Sequence, residues 1–217
     1  MKKIAFIILC TALPVIFNGC TLTKYHIDSS MTINNAAALT AKNTPYLCSY
    51  RGRAAVSIES TQQNISFSIL LNKKCSDDAL INVLGALNNP VASIKYENKK
   101  VEVKTQSSQN TEDIKKIADN SIFHIISFFK TPQQLPESDK YSISFSNSSY
   151  IFTNKEGNKL YADDKFRLYK YVTGSITSEY LWEDDNNILK SITVSAPEGK
   201  VTVKFLNKNG WSAENEG

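Results

Sequence analysis

Histidine is nearly absent from this 217-residue sequence, which contains only His26 and His124. Histidine-based metal centres and histidine-dependent catalysis are therefore disfavoured. The four cysteines are too few for a disulfide-dense scaffold, and no two of them are spaced as CxxC. Charges nearly cancel as well, because 25 basic and 21 acidic residues leave a net charge of +4, which is too small to indicate a nucleic-acid partner.

Enzyme motifs are also lacking. The sequence has no glycine-rich phosphate loop, no GxSxG elbow and no metal-binding motif. Three pairs of neighbouring aspartates, at 77–78, 163–164 and 184–185, lie in turn-like sequence, where aspartate is common. We therefore expect one main domain that is not an enzyme and uses no cofactor, with paired-carboxylate catalysis as a weak alternative.

The first twenty residues have the pattern of an export signal. A basic start, Met1-Lys2-Lys3, precedes a mostly apolar run over 4–17 that is short for the roughly 30 Å of a bilayer core. The run that ends in Asn18-Gly19-Cys20 resembles a bacterial lipobox, in which the signal is cut before a cysteine that becomes acylated. We predict a signal peptide over 1–19 and lipid attachment at Cys20. An ordinary secretory signal and an uncleaved anchor are the alternatives.

Acylation of Cys20 would hold the chain on a membrane without a spanning helix, since each buried methylene contributes about 0.8 kcal/mol. No acidic residue follows the cysteine in Thr21-Leu22-Thr23. In enteric-type bacteria that pattern sends a lipoprotein to the outer membrane, so we expect a lipid anchor there and a domain in the periplasm. Residues 20–45 are predicted to be a flexible tether. A short helix around Met31–Ala41 is the competing interpretation, because three alanines favour one.

A hairpin between residues 50 and 71 is the clearest structural signal. Apolar residues alternate with polar ones on both sides of Thr61-Gln62, and this centre pairs residues whose numbers add up to 123. Ile58 then faces Ile65, and Val56 faces Phe67. The same register places Cys48 opposite Cys75, where directly opposed Cα atoms are within disulfide reach. In an oxidising compartment we expect these two to be bridged, with two free buried thiols as the alternative.

Strand patterns recur along the rest of the chain. They are predicted at 79–84, 91–96, 100–105, 141–145, 150–153, 166–172, 175–182, 188–195 and 200–206. Two further hairpins place Tyr96 opposite Val101 and Val194 opposite Val201. About ten strands and one main helix make an α+β domain over 46–211, built on a curved antiparallel sheet and followed by a tail over 212–217.

The main helix is predicted from about Thr111 to the residue before Pro132. Its second half, Ile122–Phe129, is apolar almost all round, although a helix lying on a sheet needs only one apolar stripe. It therefore has to be covered on two sides. A helix buried in the core and a helix that covers a ligand are both open at this point. His124 is expected to be a hydrogen-bonded core histidine or a rim histidine, and not a ligand-binding one.

Several short segments, in order, resemble the LolB family of outer-membrane lipoprotein receptors, within the LolA/LolB lipoprotein-localisation superfamily. They are 50–57 (YRGRAAVS), 67–71 (FSILL), 83–85 (VLG), 91–94 (VASI) and the apolar stretch over 122–132 that ends in proline. The resemblance covers about residues 46–132, and over 140–211 it depends on strand spacing and Trp211. It implies an unclosed antiparallel β-barrel with a helix across its concave face.

The resemblance also implies an apolar cavity that receives the acyl chains of lipoproteins. The candidate lining residues are Val56, Ile58, Phe67, Ile69, Phe123, Ile126, Phe129 and Trp182. Leu84 and Leu87, around Gly85, are candidate contacts with the membrane or with an incoming lipoprotein.

The implied function is participation in lipoprotein insertion into the outer membrane by a monomeric, acyl-anchored protein. A soluble LolA-like carrier is the implied partner. The alternative function is that of an envelope lipoprotein that uses the same fold as an interaction or structural scaffold and transports nothing.

Overall fold

The computed structural model describes residues 30–61, 64–76, 78–98, 100–105, 129–132, 139–183 and 187–212. Over these residues the chain forms one α-helix, α1 (Ile33–Asn43), and thirteen β-strands. The strands are β1 (Ser49–Ser60), β2 (Asn64–Lys73), β3 (Ala79–Leu84), β4 (Pro90–Glu97), β5 (Lys100–Thr105), β6 (Tyr141–Ser146), β7 (Ser149–Asn154), β8 (Lys159–Ala162), β9 (Leu168–Thr173), β10 (Ile176–Trp182), β11 (Leu189–Ala196), β12 (Gly199–Phe205) and β13 (Trp211–Ser212). No helix among these residues is long and apolar enough to cross a membrane.

Helix α1 confirms the short-helix alternative and corrects the tether prediction over residues 33–43. The Thr32 side chain caps its first turn by accepting a hydrogen bond from Asn35 N. At the other end, the Thr44 hydroxyl accepts a bond of 2.9 Å from Leu168 N, which fixes the helix to the sheet. Ala36 is fully buried against β7–β9, and this tertiary contact stabilises a helix that its polar composition alone would not. Cys20 lies outside the described residues.

All thirteen strands belong to one antiparallel sheet. The strand order is β5-β4-β3-β2-β1-β12-β11-β10-β9-β8-β7-β6, and β13 pairs with the start of β1. Every neighbour along that order is also a neighbour in sequence except β1 and β12, whose pairing joins the two halves. The described sheet is unclosed, since β5 and β6 stand at opposite ends of the order. The connection over 106–140 joins these two edge strands.

The hairpin registers agree with the sequence predictions. Val56 faces Phe67 and Ile58 faces Ile65 across β1 and β2, while Val101 faces Tyr96 across β5 and β4. The register of β11 and β12 places Val194 opposite Val201. Such pairing is well specified, because a slip of one residue would turn every apolar side chain to the other face.

Three differences from the predicted strands have local causes. Strand β8 was not predicted, because its four residues follow a turn closed by Asn154 and Asn158 and are too few for a clear alternation. Strand β13, with two residues, was not predicted either. Strand β9 begins two residues after the predicted Phe166, which lies in a turn with a positive φ of 60°.

One face of the sheet carries the core, and we call it the inner face. Its main cluster is built from alternate residues of β1–β4 and β10–β12, with partly buried residues of β5 and β9 packed against it. A second cluster combines Ala36 with residues of β7–β9, and Tyr171 packs against both clusters. Thus α1 packs on the inner face of β7–β9, a contact that no sequence pattern predicted.

The predicted main helix lies outside the described residues except for its last part. Phe129 and Lys130 form a bend, and Thr131 pairs with Leu47 instead of continuing a helix. Thr131 is fully buried, and its hydroxyl accepts a 2.7 Å bond from Leu47 N and donates a 2.9 Å bond to Pro45 O. These bonds attach the connection over 106–140 to the segment between α1 and β1, close to Cys48.

The two ends of the sheet are different. One end, the turn end, carries the β1–β2, β3–β4, β9–β10 and β11–β12 turns. The opposite end, the disulfide end, carries Cys48 and the segment that binds Thr131. Strand β5 finishes with Thr105 at the turn end, so the described flanks of the 106–128 segment lie at opposite ends of the sheet.

Candidate functional site

The inner face carries a continuous layer of buried apolar side chains. Strand alternation places the odd residues of β2 and the even residues of β1 on it, and both strands pair with further apolar strands on either side. Val56, Ile69 and Val203 are all buried. A buried apolar layer of this extent is the feature from which a ligand site for hydrocarbon would be built.

Six of the eight predicted lining residues lie in the described part of the chain, and all six belong to the inner-face core. Val56, Ile58, Ile69, Phe129 and Trp182 are buried, and Phe67 is half-buried against them. Phe123 and Ile126 lie outside the described residues. The structure therefore brings the six together, mostly as packed core, and leaves Phe67 as the one with substantial exposure.

Five half-buried apolar side chains on β2–β5 form what we call the inner-face patch. It consists of Phe67, Val83, Tyr96, Val101 and Val103. The registers place them on one face, since Val83 is opposite Ile69, Tyr96 opposite Val101 and Val103 opposite Ile94. The patch reaches the edge strand β5, from which the 106–140 connection departs. Apolar surface therefore remains accessible beside the closed part of the core.

The outward side of the same strands is charged. Lys95 pairs with Glu97 at 2.6 Å on β4, and β5 exposes Lys100, Glu102 and Lys104 between its valines. Charges on an edge strand discourage pairing with a second sheet edge. The two faces of β4 and β5 thus differ sharply, with an apolar patch inside and alternating charges outside.

Cys48 and Cys75 form the expected disulfide, with their Cα atoms 4.7 Å apart. Lys73, only 1% exposed, packs beside it and donates hydrogen bonds to the carbonyl oxygens of Cys48 and Lys74. A buried ammonium requires such acceptors, because an unpaired charge is costly away from water. This end of the site is therefore cross-linked and closely hydrogen-bonded.

The loop around Gly85 separates the two predicted contact leucines. Leu84 is the last residue of β3 and is 7% exposed, so the prediction of a surface contact at Leu84 is wrong. Leu84 lies opposite Ser68 of β2, and the pairing of β3 with β4 shifts register between Val83 and Leu84. Leu87 is 82% exposed at the tip of the loop.

The backbone of this loop holds Leu87 outward. Gly85 N donates to Asn89 O at 2.9 Å, and Asn88 N donates to Gly85 O at 2.9 Å. Asn88 has a positive φ of 61°, which closes the turn. A Cβ at Gly85 would lie 2.8 Å from Val91 Cγ1, so any other residue there would displace the Val91 side chain.

Most buried polar groups on the inner face have partners. Trp182 Nε1 donates to Leu168 O at 2.7 Å, and the Tyr50 hydroxyl donates to Arg53 O at 2.7 Å. Burial raises the pKa of Tyr180 well above its ordinary value of 10.0, an effect that the nearby Ser178 hydroxyl partly offsets.

Three aromatic rings pack against one another at the disulfide end of the inner face, and no sequence pattern predicted this cluster. Tyr50, Phe205 and Trp211 have ring centroids 4.6–5.2 Å apart. Gly210 permits the approach, since a Cβ there would lie 2.6 Å from the Tyr50 ring. Their spacing in sequence gave no signal, because β1, β12 and β13 meet only in the folded sheet.

Two aspartates of the predicted pairs, Asp78 and Asp163, stabilise turns. Asp163 accepts bonds from Lys165 N and Arg167 N, and its second oxygen bonds Arg167 Nε. Asp78 accepts bonds from Ser76 and Asn98 N, which hold its pKa below the usual range. Both carboxylates thus stabilise loops. Asp77, Asp184 and Asp185 lie outside the described residues.

No family model matches the chain, and no curated protein matches it in sequence. Among solved structures, a LolA superfamily protein from Nitrosomonas europaea is 10% identical with a TM-score of 0.39, over 82% of this chain and 92% of that one. A DUF1329 family protein from Desulfovibrio piger is 12% identical with a TM-score of 0.38, over 81% and 91%. A domain assigned as an outer membrane lipoprotein-sorting protein, from Vibrio parahaemolyticus, is 10% identical with a TM-score of 0.34, over 80% and 88%.

At these identities and TM-scores the similarity assigns no function to the chain. The function is therefore inferred from the chain's own residues.

Proposed function

We propose that this protein binds the acyl chains of lipoproteins or lipids on the inner face of its sheet. It does so while anchored to the outer membrane through an acylated Cys20, with the domain in the periplasm. In that position it takes part in lipoprotein insertion into the outer membrane, receiving cargo from a soluble carrier. The protein performs no covalent chemistry in this role.

The inner-face patch is the observation that carries the proposal. Phe67, Val83, Tyr96, Val101 and Val103 are half-buried, and they continue the buried core outward without an intervening charge. An acyl chain is uniform hydrocarbon, so its binding needs apolar area more than directed polar groups. At about 25 cal/mol per Å² of apolar surface removed from water, a chain laid along this patch gains affinity with no catalytic group.

The lipobox-like start and the segments over 50–57, 67–71, 83–85 and 91–94 support the same proposal independently of the patch. A tethered domain works at the membrane surface, where acyl chains are delivered. The exposed Leu87, held at the tip of a hydrogen-bonded loop, is suited to contact the bilayer or the incoming lipoprotein. Leu87 belongs to the turn end, where the edge strand β5 also finishes.

Lipid extraction tests acyl binding directly. We expect the full chain, purified with its own anchor, to carry acyl lipid or lipopeptide beyond its covalent lipid when a solvent extract is analysed by mass spectrometry. Val103→Lys places a charge within the patch and should abolish this material. Glu102→Lys, one residue away on the outward side, is the matched control and should retain it.

Two results would contradict the proposal. If the wild-type extract contains no additional acyl lipid, the scaffold alternative is favoured. If Val103→Lys and Glu102→Lys retain equal amounts, binding does not occur at the patch. Depletion of the protein in its own cells gives the functional test, because other lipoproteins should then fail to arrive at the outer membrane.

The contact role of Leu87 has a separate test. Leu87→Asp should slow the transfer of a lipoprotein from carrier to membrane, while acyl lipid still co-purifies with the protein. Asn89→Asp adds the same charge to the same exposed loop without removing an apolar side chain, so it serves as the control. Equal transfer rates in the two variants would exclude the contact role.

A further inference from the structure

The two edge strands of the sheet differ in charge. Strand β5 alternates its valines with exposed Lys100, Glu102 and Lys104, and charges of this kind discourage pairing with a second sheet. Strand β6, at the other end of the strand order, has the sequence YSISFS, without a charge or a proline. Its three serines, at 142, 144 and 146, are exposed. An uncharged edge strand is a template for the addition of a further strand.

The turn between β6 and β7 fixes which backbone groups of β6 face away from β7. Its two residues, Asn147 and Ser148, have positive φ angles of 49° and 60°, as in a type I′ hairpin turn. Such a turn makes the flanking pair, Ser146 with Ser149, a hydrogen-bonded one. Hydrogen-bonded pairs alternate with non-hydrogen-bonded pairs along an antiparallel ladder. Ser144 therefore bonds β7, whereas the backbone groups of the residues on either side of it point away from β7.

Ile143 and Phe145 thus present their N–H and C=O groups to the open edge. Among the described residues, no backbone hydrogen bond reaches them from that side. Their side chains are half-buried on the inner face, against the cluster that contains Ala36 and residues of β7–β9. The edge therefore combines backbone groups that are available for pairing with an apolar inner side and a serine-lined outer side.

We propose that two copies of this protein associate through antiparallel pairing of their β6 strands, in place of the monomer that the resemblance implies. The outward-pointing backbone groups of each strand must meet those of the other. Ile143 of one copy then lies opposite Phe145 of the other, with Ser144 on the two-fold axis, or opposite Ile143 itself. In both registers apolar side chains meet on the inner face and serines meet on the outer face, with no like charges opposed. This self-complementarity favours a second copy over a charged peptide.

The pairing suits a protein anchored at a membrane, and this step rests on the anchor proposed above. Two strands paired in one antiparallel sheet are related by an axis perpendicular to the sheet, so the inner faces of both copies lie on the same side. Helix α1 packs on that side in each copy, and the chain from Cys20 leads into it. Anchoring of both copies in one membrane raises the effective concentration for a strand pairing that is only six residues long.

Cysteine cross-linking of the full chain in its own membranes tests the pairing. Directly opposed residues of a non-hydrogen-bonded pair have Cα atoms about 4.5 Å apart, which is within disulfide reach. Ser144→Cys, Ser142→Cys and a mixture of the two are oxidised mildly and separated on a non-reducing gel. Cys48 and Cys75 already bond each other, so wild type should not cross-link. Ser68→Cys, at an exposed serine of β2 away from both edges, is the control for random collision.

We expect a linked dimer from Ser144→Cys alone if Ser144 lies on the axis, or from the mixture alone if Ile143 does. Either result supports the pairing and gives its register, while Ser68→Cys should remain monomeric. Adding Ile143→Pro to the linking variant removes the N–H that bonds the other copy, at an edge position that tolerates proline, and should abolish the link. Ile143→Ala also shortens the side chain but keeps the N–H, so the link should remain.

The remaining outcomes contradict the inference. If neither Ser144→Cys nor the mixture links more than Ser68→Cys, the β6 edges do not pair. If the link survives Ile143→Pro, or is lost equally in Ile143→Ala, backbone pairing is not its basis. The pattern at 142 and 144 decides the question alone if the proline variant fails to fold. These measurements involve no lipid cargo, so their failure leaves the acyl-binding proposal standing, and failure of the lipid extraction leaves the pairing standing.

Discussion

Cys48 lies opposite Cys75, with their Cα atoms 4.7 Å apart, in continuation of the register that pairs Tyr50 with Lys73. The bridge closes a loop with a sequence separation of 27 that contains the whole β1–β2 hairpin. Lys73 donates a hydrogen bond of 3.0 Å to the carbonyl oxygen of Cys48. The disulfide and this hydrogen bond therefore both connect the start of β1 to the end of β2. The disulfide end of the inner face is thereby fixed to the strand that leads into it.

The first prediction concerns this cross-link. Replacing both cysteines in a Cys48→Ser and Cys75→Ser double variant should lower the free energy of unfolding by about 3–4 kcal/mol, the chain-entropy value for a loop of this size. Urea unfolding of wild type and variant measures the difference. Wild type treated with a reductant should approach the variant, and a loss below about 1 kcal/mol in both would show that the bridge contributes little to stability.

The second prediction concerns the attachment of the 106–140 connection. Thr131→Val keeps the shape of the side chain but removes the acceptor for Leu47 N and the donor to Pro45 O. Buried groups that lose their partners cost about 1–3 kcal/mol each, so we expect a loss of about 2 kcal/mol or more in thermal or urea unfolding.

Thr193→Val is the matched control for Thr131→Val. Its hydroxyl, which is only partly buried, bonds the Thr202 hydroxyl at 3.1 Å, and its loss should cost less than about 1 kcal/mol. Equal losses in the two variants would show that the Thr131 bonds do not hold the connection in place.

Much of the sheet could be predicted because its local signals agree with one another. In β1 and β2 the alternation of apolar residues, the turn between them and the cysteine positions all specify one register, and the structure has that register. The short helix α1 was harder, since its alanines favour a helix while its threonines and asparagines favour a loop. Burial of Ala36 against β7–β9 decides between them, and a sequence pattern does not contain that contact.

The candidate site was only partly predictable for a related reason. The alternation of side chains along each strand identified Val56 and Ile69 as inner-face residues. It did not predict what fraction of each side chain remains exposed. The exposed fraction of a side chain depends on which strands lie beside its own strand. The inner-face patch on β2–β5 could therefore be identified only in the folded sheet. Leu84 was misplaced because the sequence placed it beside a loop, whereas it ends β3 opposite Ser68 and is buried there.

The third prediction concerns the β11–β12 turn. Gly199 has a φ of 154°, and a Cβ there would lie 2.5 Å from the Glu59 carbonyl oxygen. Because that atom is backbone and is held in the pairing of β1 with β12, Gly199→Ala should cost about 3 kcal/mol. Gly174→Ala is the control, since Gly174 also has a positive φ, of 56°, but has nothing within 4 Å of the added Cβ.

Urea unfolding separates the two contributions at these glycines. The control should lose only about 1 kcal/mol, the cost of the backbone conformation alone. An equal loss of stability in Gly199→Ala and Gly174→Ala would contradict the prediction. It would mean that the paired ends of β1 and β12 move to accept the extra carbon, so that the close approach of Gly199 to Glu59 does not constrain the sheet.

The last prediction concerns pH. Burial raises the pKa of Tyr180 above its ordinary value of 10.0, so the folded protein keeps the phenol neutral where the unfolded chain ionises it. The stabilisation is complete below the unfolded pKa and decreases as the pH rises toward the folded pKa. Relative to Tyr180→Phe, which cannot ionise, the wild type should lose about 1.4 kcal/mol of unfolding free energy between about pH 9 and pH 11. Urea unfolding across this range measures the difference, and the two proteins should show parallel stabilities between about pH 7 and pH 9. Parallel curves at higher pH as well would mean that the phenol ionises within the folded protein, and therefore that the inner face around Tyr180 is open to water.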